Sequence, residues 1–161
     1  MFRRYLVPFK ANRLPLVLTD ALVIGGGVAG LRAALAAAEF GEVLLVSKTE
    51  LKESNTYYAQ GGIATVWKAE DSFESHIEDT MKVACGLGNR EAVEIVVREA
   101  PERIRELIDW GANFDRETGG ELSIGREGGH SFARIIHALG DATGRELANS
   151  LTREAKKHPN I

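Results

Sequence analysis

The sequence predicts an α/β fold, a parallel sheet with flanking helices, and three observations carry that prediction. Two short apolar runs, Asp20–Ile24 and Glu42–Val46, have the length and composition of parallel strands buried on both faces. Between them Val28–Phe40 is rich in Ala and Leu, with Leu31, Ala34, Leu35 and Ala38 spaced along one helical face. Gly25, Gly26 and Gly27 separate the first run from that helix. Strand, glycine turn, helix and strand within about thirty residues make a βαβ unit, whose crossover is almost always right-handed.

The elements follow in order. Residues 1–19 read as an irregular N-terminal arm. Arg3, Arg4, Lys10 and Arg13 surround an apolar stretch, Tyr5–Phe9, too short for the ~7–15-residue core of a signal peptide. Gly41 is a helix stop before the second strand. Thr49–Gly62 is polar and ends in a glycine pair. Residues 71–84 predict a helix, with Asp71 or Ser72 as N-cap and Glu74 in its first turn. Cys85–Asn89 is a turn. Residues 90–110 carry Ala92, Val93, Val96, Val97, Ile104, Leu107 and Ile108 at helical spacing. Pro101 interrupts them, so two helices are expected to meet near Ala100. Six glycines between Gly111 and Ser131 predict loops or a hairpin. Asp141 is the expected cap of a last helix running to about Lys157, whose final turn is basic. Pro159 ends it, and a new strand is expected there.

Composition narrows the function classes. At 161 residues the chain is one domain by length, burying roughly two thirds of its unfolded surface. Hydrophobic residues at 44% and charged residues at 27% are the mixture of a globular protein. A net charge of −3 argues against nucleic acid as main partner. The single Cys85 excludes an internal disulfide or a Cys-based zinc site and suits a reducing compartment. No apolar run approaches the ~20 residues of a membrane span, so the expected location is cytoplasmic.

Chemistry enters at Gly25-x-Gly27-x-x-Gly30, placed between a strand and a helix. The first glycine permits the tight turn, the second lets a pyrophosphate approach the backbone, and the third lets helix and strand pack closely. Free amides and the positive helix end favour the phosphates. The usual ribose-binding acid, about 20 residues further on, is replaced by Ser47-Lys48. Lys48 there either faces a phosphate, as in an NADP site, or is a solvated charge at a strand end. Glu127 is either a substrate-facing acid in a glycine-rich loop or a surface residue beside Arg126. His130 and His137 lack partners at metal-ligand spacing, so no metal site is expected. His130 is expected to hydrogen-bond within its loop, His137 to pack on a helix, and His76 to be structural.

With these residues in place the chain resembles the fumarate reductase/succinate dehydrogenase flavoprotein superfamily. The resemblance is carried by Ala21–Gly30, Ser47-Lys48, Ser54-Asn-Thr-Tyr-Tyr-Ala-Gln-Gly-Gly62, Ser75–Thr80, Arg126-Glu-Gly-Gly-His-Ser131 and Asp141–Glu146, covering residues 17–161 in order. It implies a Rossmann-like FAD-binding domain over residues 20–161, the N-terminal part of a longer enzyme whose capping and C-terminal helical domains lie outside the chain. The implied FAD contacts are Gly25, Gly26, Gly27, Val28, Ala29 and Gly30 at the pyrophosphate, and Ser47 and Lys48 by the adenosine. Ser54, Asn55, Thr56, Tyr57, Tyr58, Ala59, Gln60, Gly61 and Gly62 are implied at the flavin. Tyr57 and Tyr58 either shield the flavin or are ordinary core aromatics.

Membrane-bound members join FAD covalently to a His at the position of Asn55. Asn cannot form that bond, which implies noncovalent FAD and favours the soluble amino-acid oxidase branch. In that branch Glu127 meets the α-amino group of L-aspartate, which is oxidised to iminoaspartate for quinolinate and NAD synthesis. Oxygen or fumarate is the implied acceptor and quinolinate synthase a partner. No catalytic residue is assigned within these 161 residues, which alone are expected to be inactive. The alternatives are a soluble fumarate reductase or succinate dehydrogenase flavoprotein, or a non-catalytic fold module.

Overall fold

A computed structural model describes residues 14–161. The arm expected over residues 1–19 therefore lies, through residue 13, outside the described residues; Leu14 to Thr19 carry no regular structure.

Strand β1 (Ala21–Ile24), helix α1 (Val28–Ala38) and strand β2 (Val43–Val46) form the expected βαβ unit. The strands pair in parallel, with Ala21 opposite Val43 and Ile24 opposite Val46. The buried residues of α1 are Leu31, Ala34, Leu35 and Ala38, the face marked by their spacing. Ala34 and Ala38 pack on Val43, and Leu31 and Leu35 on Leu151 and Ala155 of the last helix. Within residues 14–161 the two strands are covered on one face only. Exposure alternates along β1, where Leu22 is 56% and Ile24 81% exposed. Among the described residues α1 covers one face of this sheet and leaves the apolar side chains of the other face open.

A second sheet was not visible in the sequence. Strands β3 (Ile63–Ala64), β4 (Ile124–Gly125) and β5 (Ile135–Ile136) pair antiparallel in the order β3-β5-β4. Ile136 from its centre packs with Ile104, Phe114, Leu122 and Ala138 in the largest apolar cluster. The glycine-rich stretch is a hairpin excursion, in which the Ser123 amide donates to the Asp115 carbonyl and the Glu117 amide to that of Glu121.

Helix α2 (Phe73–Val83) starts at Ser72, whose hydroxyl accepts from the Ser75 amide. Asp71 is not the cap; its carboxylate is turned inward. Helix α3 (Arg90–Asp109) is capped by Asn89 and runs unbroken through Pro101, which corrects the expected pair of helices. Proline removes one backbone donor, and Pro101 is buried beside Ile104, so tertiary packing holds the helix together across it. Helix α4 (Thr143–Lys157) has Ala142, not Asp141, at its N-cap. After Pro159 no strand forms among the described residues, although the Val43 amide donates to the Asn160 carbonyl at 2.7 Å. No helix among the described residues is long and apolar enough to cross a membrane.

Candidate functional site

The glycine turn ends β1 and opens α1. Gly25 adopts φ +122°, a conformation that side-chain-bearing residues rarely take, and its amide donates to the Val46 carbonyl at 2.8 Å. A Cβ on Gly30 would lie 1.8 Å from the Gly25 carbonyl oxygen, so helix and turn approach more closely than any other residue permits. Around Gly25, by contrast, the space a Cβ would enter is open. Gly27 is the N-cap of α1 and offers no side chain to its first amides. A close turn, an open approach at Gly25 and a helix start whose N-cap residue carries no side chain together fit a pyrophosphate.

The other expected cofactor segments converge here in part. A Cβ on Gly26 would meet Leu51 at 2.5 Å and Ser47 at 3.2 Å, which places the end of β2 against the turn. The Ser47 hydroxyl bonds back to the Thr49 carbonyl, and Lys48 is exposed. Thr56 accepts from the Val28 amide at 3.0 Å, joining the polar loop to the start of α1. The Ser54 hydroxyl accepts from the Tyr57 amide. Tyr57 and Tyr58 meet edge to face at 5.3 Å. Tyr58 is exposed and donates to the Glu53 carboxylate, which holds its phenol above the ordinary value, first by that hydrogen bond and then by charge. Asn55, Ala59 and Gln60 are exposed.

The same loop is laid against the start of α4. A Cβ on Gly144 would come within 2.1 Å of the Thr56 carbonyl oxygen, and the Gly144 amide donates to Ala59 at 3.2 Å. Gly61 donates to the Asp141 carbonyl at 3.0 Å. Gly62 is pressed on β5, where a Cβ would meet Ile135 at 2.3 Å and His137 Nε2 at 2.7 Å. Residues 54–62 thus lie between the first turns of two helices and one strand.

Glu127 sits in the exposed loop after β4, its side chain 51% exposed. Its Oε1 lies 2.9 Å from His137 Nε2. Arg126 does not pair with it, donating instead to the His130 carbonyl. His137 follows β5 directly, which corrects the expectation that it packs on a helix. His130 is held within its loop by its own amide, which donates to the Glu127 carbonyl. The acid expected at the substrate and Gly62, expected at the flavin, are therefore neighbours through one imidazole.

Sequence reasoning missed the anchor beneath this loop. Arg134 is fully buried, clamped by Asp71 through two bonds of 2.8 and 2.7 Å, and it donates to Asp79 at 2.8 Å and to Ser75 at 3.1 Å. Asp79 also accepts from the Ser131 amide and hydroxyl, both at 2.7 Å. Burial pushes the Asp79 carboxyl up, but the Ser131 bonds and Arg134 outweigh it and hold it below the ordinary value. His76, 6% exposed, has its Nδ1 unpartnered; burial first, then Arg134 and His130, push it down to about 4. The one available signal was a lone Arg inside the otherwise apolar stretch Phe132–Ile136. Among the described residues no three or more His, Cys, Asp or Glu side chains converge as a metal-binding group.

Comparison with known proteins bears on this geometry. A family model described as FAD binding domain matches residues 20–161. L-aspartate oxidase 2-a, chloroplastic, of Nicotiana tabacum is 51% identical over 142 residues, covering 88% of this chain and 22% of its own. The L-aspartate oxidase of Vibrio cholerae is 44% identical over 147 residues, covering 88% and 27%. Among solved structures, Mycobacterium smegmatis Sdh1 in complex with UQ1 superposes with a TM-score of 0.79 at 38% identity, over 84% of this chain and 23% of that one. A quinol-fumarate reductase with menaquinol molecules gives 0.83 at 34% identity, over 89% and 25%. The chain spans about a quarter of the length of the curated relatives it matches.

Proposed function

The chain belongs to the FAD-binding domain family, and from that premise we propose that it is the cofactor-holding part of an L-aspartate oxidase, converting L-aspartate to iminoaspartate on the quinolinate route to NAD. The observation that carries this reading is the seat of Glu127. It is an acid paired with His137, whose ring lies against Gly62 of the loop proposed to line the flavin, in a chain 51% identical to a tobacco L-aspartate oxidase.

FAD, when bound, supplies the two-electron acceptor for the reaction. Everything else falls to the protein. Gly25 to Gly30, with the start of α1, hold the pyrophosphate through backbone amides and the positive helix end. Ser47 and Lys48 flank the adenosine side. Ser54 to Gly62 line the flavin, and Asn55 leaves it uncrosslinked. Glu127 accepts charge-assisted hydrogen bonds from the substrate ammonium group and sets which carbon is presented for oxidation. We assign no proton-transfer residue within residues 1–161, and alone the stretch is inactive. Oxygen or fumarate would be the final electron acceptor, and quinolinate synthase would consume the product. The lone Cys85 supports a cytoplasmic location, whereas the tobacco relatives are named chloroplastic.

A second reading, a soluble fumarate reductase or succinate dehydrogenase flavoprotein, is favoured by the superposition on the quinol-fumarate reductase. Substrate preference separates the two. The FAD-loaded full-length enzyme that contains this stretch is expected to bleach anaerobically with L-aspartate and to lose that response in Glu127→Gln. Bleaching with succinate but not with aspartate would establish the second reading instead.

A further inference from the structure

We propose that His137 is a positioning residue for the aspartate-facing acid, so that recognition of the amino group depends on a His137–Glu127 unit rather than on Glu127 alone. The inference rests on the reading of Glu127 as that acid. Its basis is an asymmetry in how firmly the two side chains are held.

His137 is the fixed member. It extends from β5, where Ile135 and Ile136 are buried, and its carbonyl accepts from the Asp115 amide at 2.8 Å. Its ring lies close over Gly62, where a Cβ would come within 2.7 Å of Nε2, and its side chain is 27% exposed against 51% for Glu127. Glu127 is the loose member. Gly128 and Gly129 follow it, residues 126–129 are exposed, and among the described residues no other side chain bonds its carboxylate. An ionised carboxylate only accepts, so the 2.9 Å contact requires the hydrogen on Nε2. The imidazole therefore selects one orientation of a carboxylate that would otherwise sample several, and leaves its second oxygen for the substrate ammonium. Because the ring rests on Gly62, the flavin-side loop and the substrate acid share one support. Their relative position is set by contact rather than by loop length.

The test is a double-mutant cycle in the FAD-loaded full-length enzyme that contains this stretch, with Glu127→Gln, His137→Phe and both together, and His137→Gln as the variant that keeps a donor. His137→Phe is expected to raise the KM for L-aspartate roughly tenfold with kcat and FAD affinity within about twofold, because it removes binding common to ground and transition states. The effect should vanish in the Glu127→Gln background, and His137→Gln should recover part of it. Should Glu127→Gln leave aspartate KM unchanged, the underlying assignment of the acid falls, and this proposal with it. Should Glu127→Gln act but His137→Phe multiply the defect equally in both backgrounds, the positioning role alone is overturned. If His137→Phe does not retain FAD, nitrogen-15 spectra of the imidazoles in the unsubstituted 161-residue chain decide. A single Nε2-protonated tautomer at His137, becoming a mixture in Glu127→Gln, supports the unit; the same spectrum in both refutes it.

Discussion

The glycine turn of β1–α1–β2 and the Arg134 clamp under the Glu127 loop are built by opposite means. In the first, shape comes from side chains that are missing: Gly30 lets α1 lie where a Cβ would stand 1.8 Å from a carbonyl oxygen. The second depends on side chains that are buried and charged, with Arg134 reaching Asp71 across 63 residues of sequence and Asp79 across 55. A cradle made of backbone is local and tolerant of what surrounds it. A clamp made of ions holds distant segments together but fails as a unit if one member is lost.

That contrast predicts a ranked series of effects. The largest belongs to the clamp. Arg134→Met leaves Asp71 buried without its partner and is expected to destabilise the protein by about 3–5 kcal/mol, measured by urea unfolding. A loss under about 1 kcal/mol would show that the pair is effectively solvated. Gly30→Ala is next, at about 1–3 kcal/mol for the forced shift of α1. It should also weaken FAD binding strongly, whereas Arg134→Met should act on flavin affinity only through unfolding. A titration in which both variants weaken FAD equally while folded would erase the distinction between the regions.

Burial of His76, and then the charge of Arg134 beside it, make the protein acid-sensitive. Its folded value near 4 lies below the ordinary 6.5 of imidazole, with Arg134, His130, Asp71 and Asp79 as the charged or titratable groups around it. Between those values the unfolded chain binds a proton that the folded chain refuses. Stability is therefore lost as pH falls from about 6.5 to about 4, by at most about 1.4 kcal/mol per pH unit from this group. Asp79, held low, adds a loss of the same sign at still lower pH. His76→Gln should flatten the unfolding free energy across the upper window, and an unchanged slope there would assign the acid sensitivity elsewhere. The smallest effect is at a local device in neither region: Ser72→Ala removes the α2 cap at about 1 kcal/mol.

How much of this was legible follows the same division. The buried face of α1, the turn at Gly25 and the close packing at Gly30 could be read because their causes lie within a few residues. The three two-residue strands could not, since two residues carry no periodicity and their pairing joins Ile63 to Ile136. Pro101 argued locally for a break that packing around Ile104 overrode. The companion of Glu127 stayed hidden for the same reason: nothing at His137 in the sequence announces that a strand end will carry its ring to a carboxylate ten residues earlier. Resemblance singled out residues 54–62 as the loop proposed to line the flavin, while the contacts that hold it to α1, α4 and β5 emerged only in three dimensions.

The most direct test of the central claim is the fate of flavin when FAD-loaded holoprotein is precipitated with acid. A backbone cradle with Asn55 beside it predicts yellow protein that releases all of its FAD into the supernatant. Flavin retained in the pellet, or a holoprotein preparation that stays colourless at saturating FAD, would contradict it.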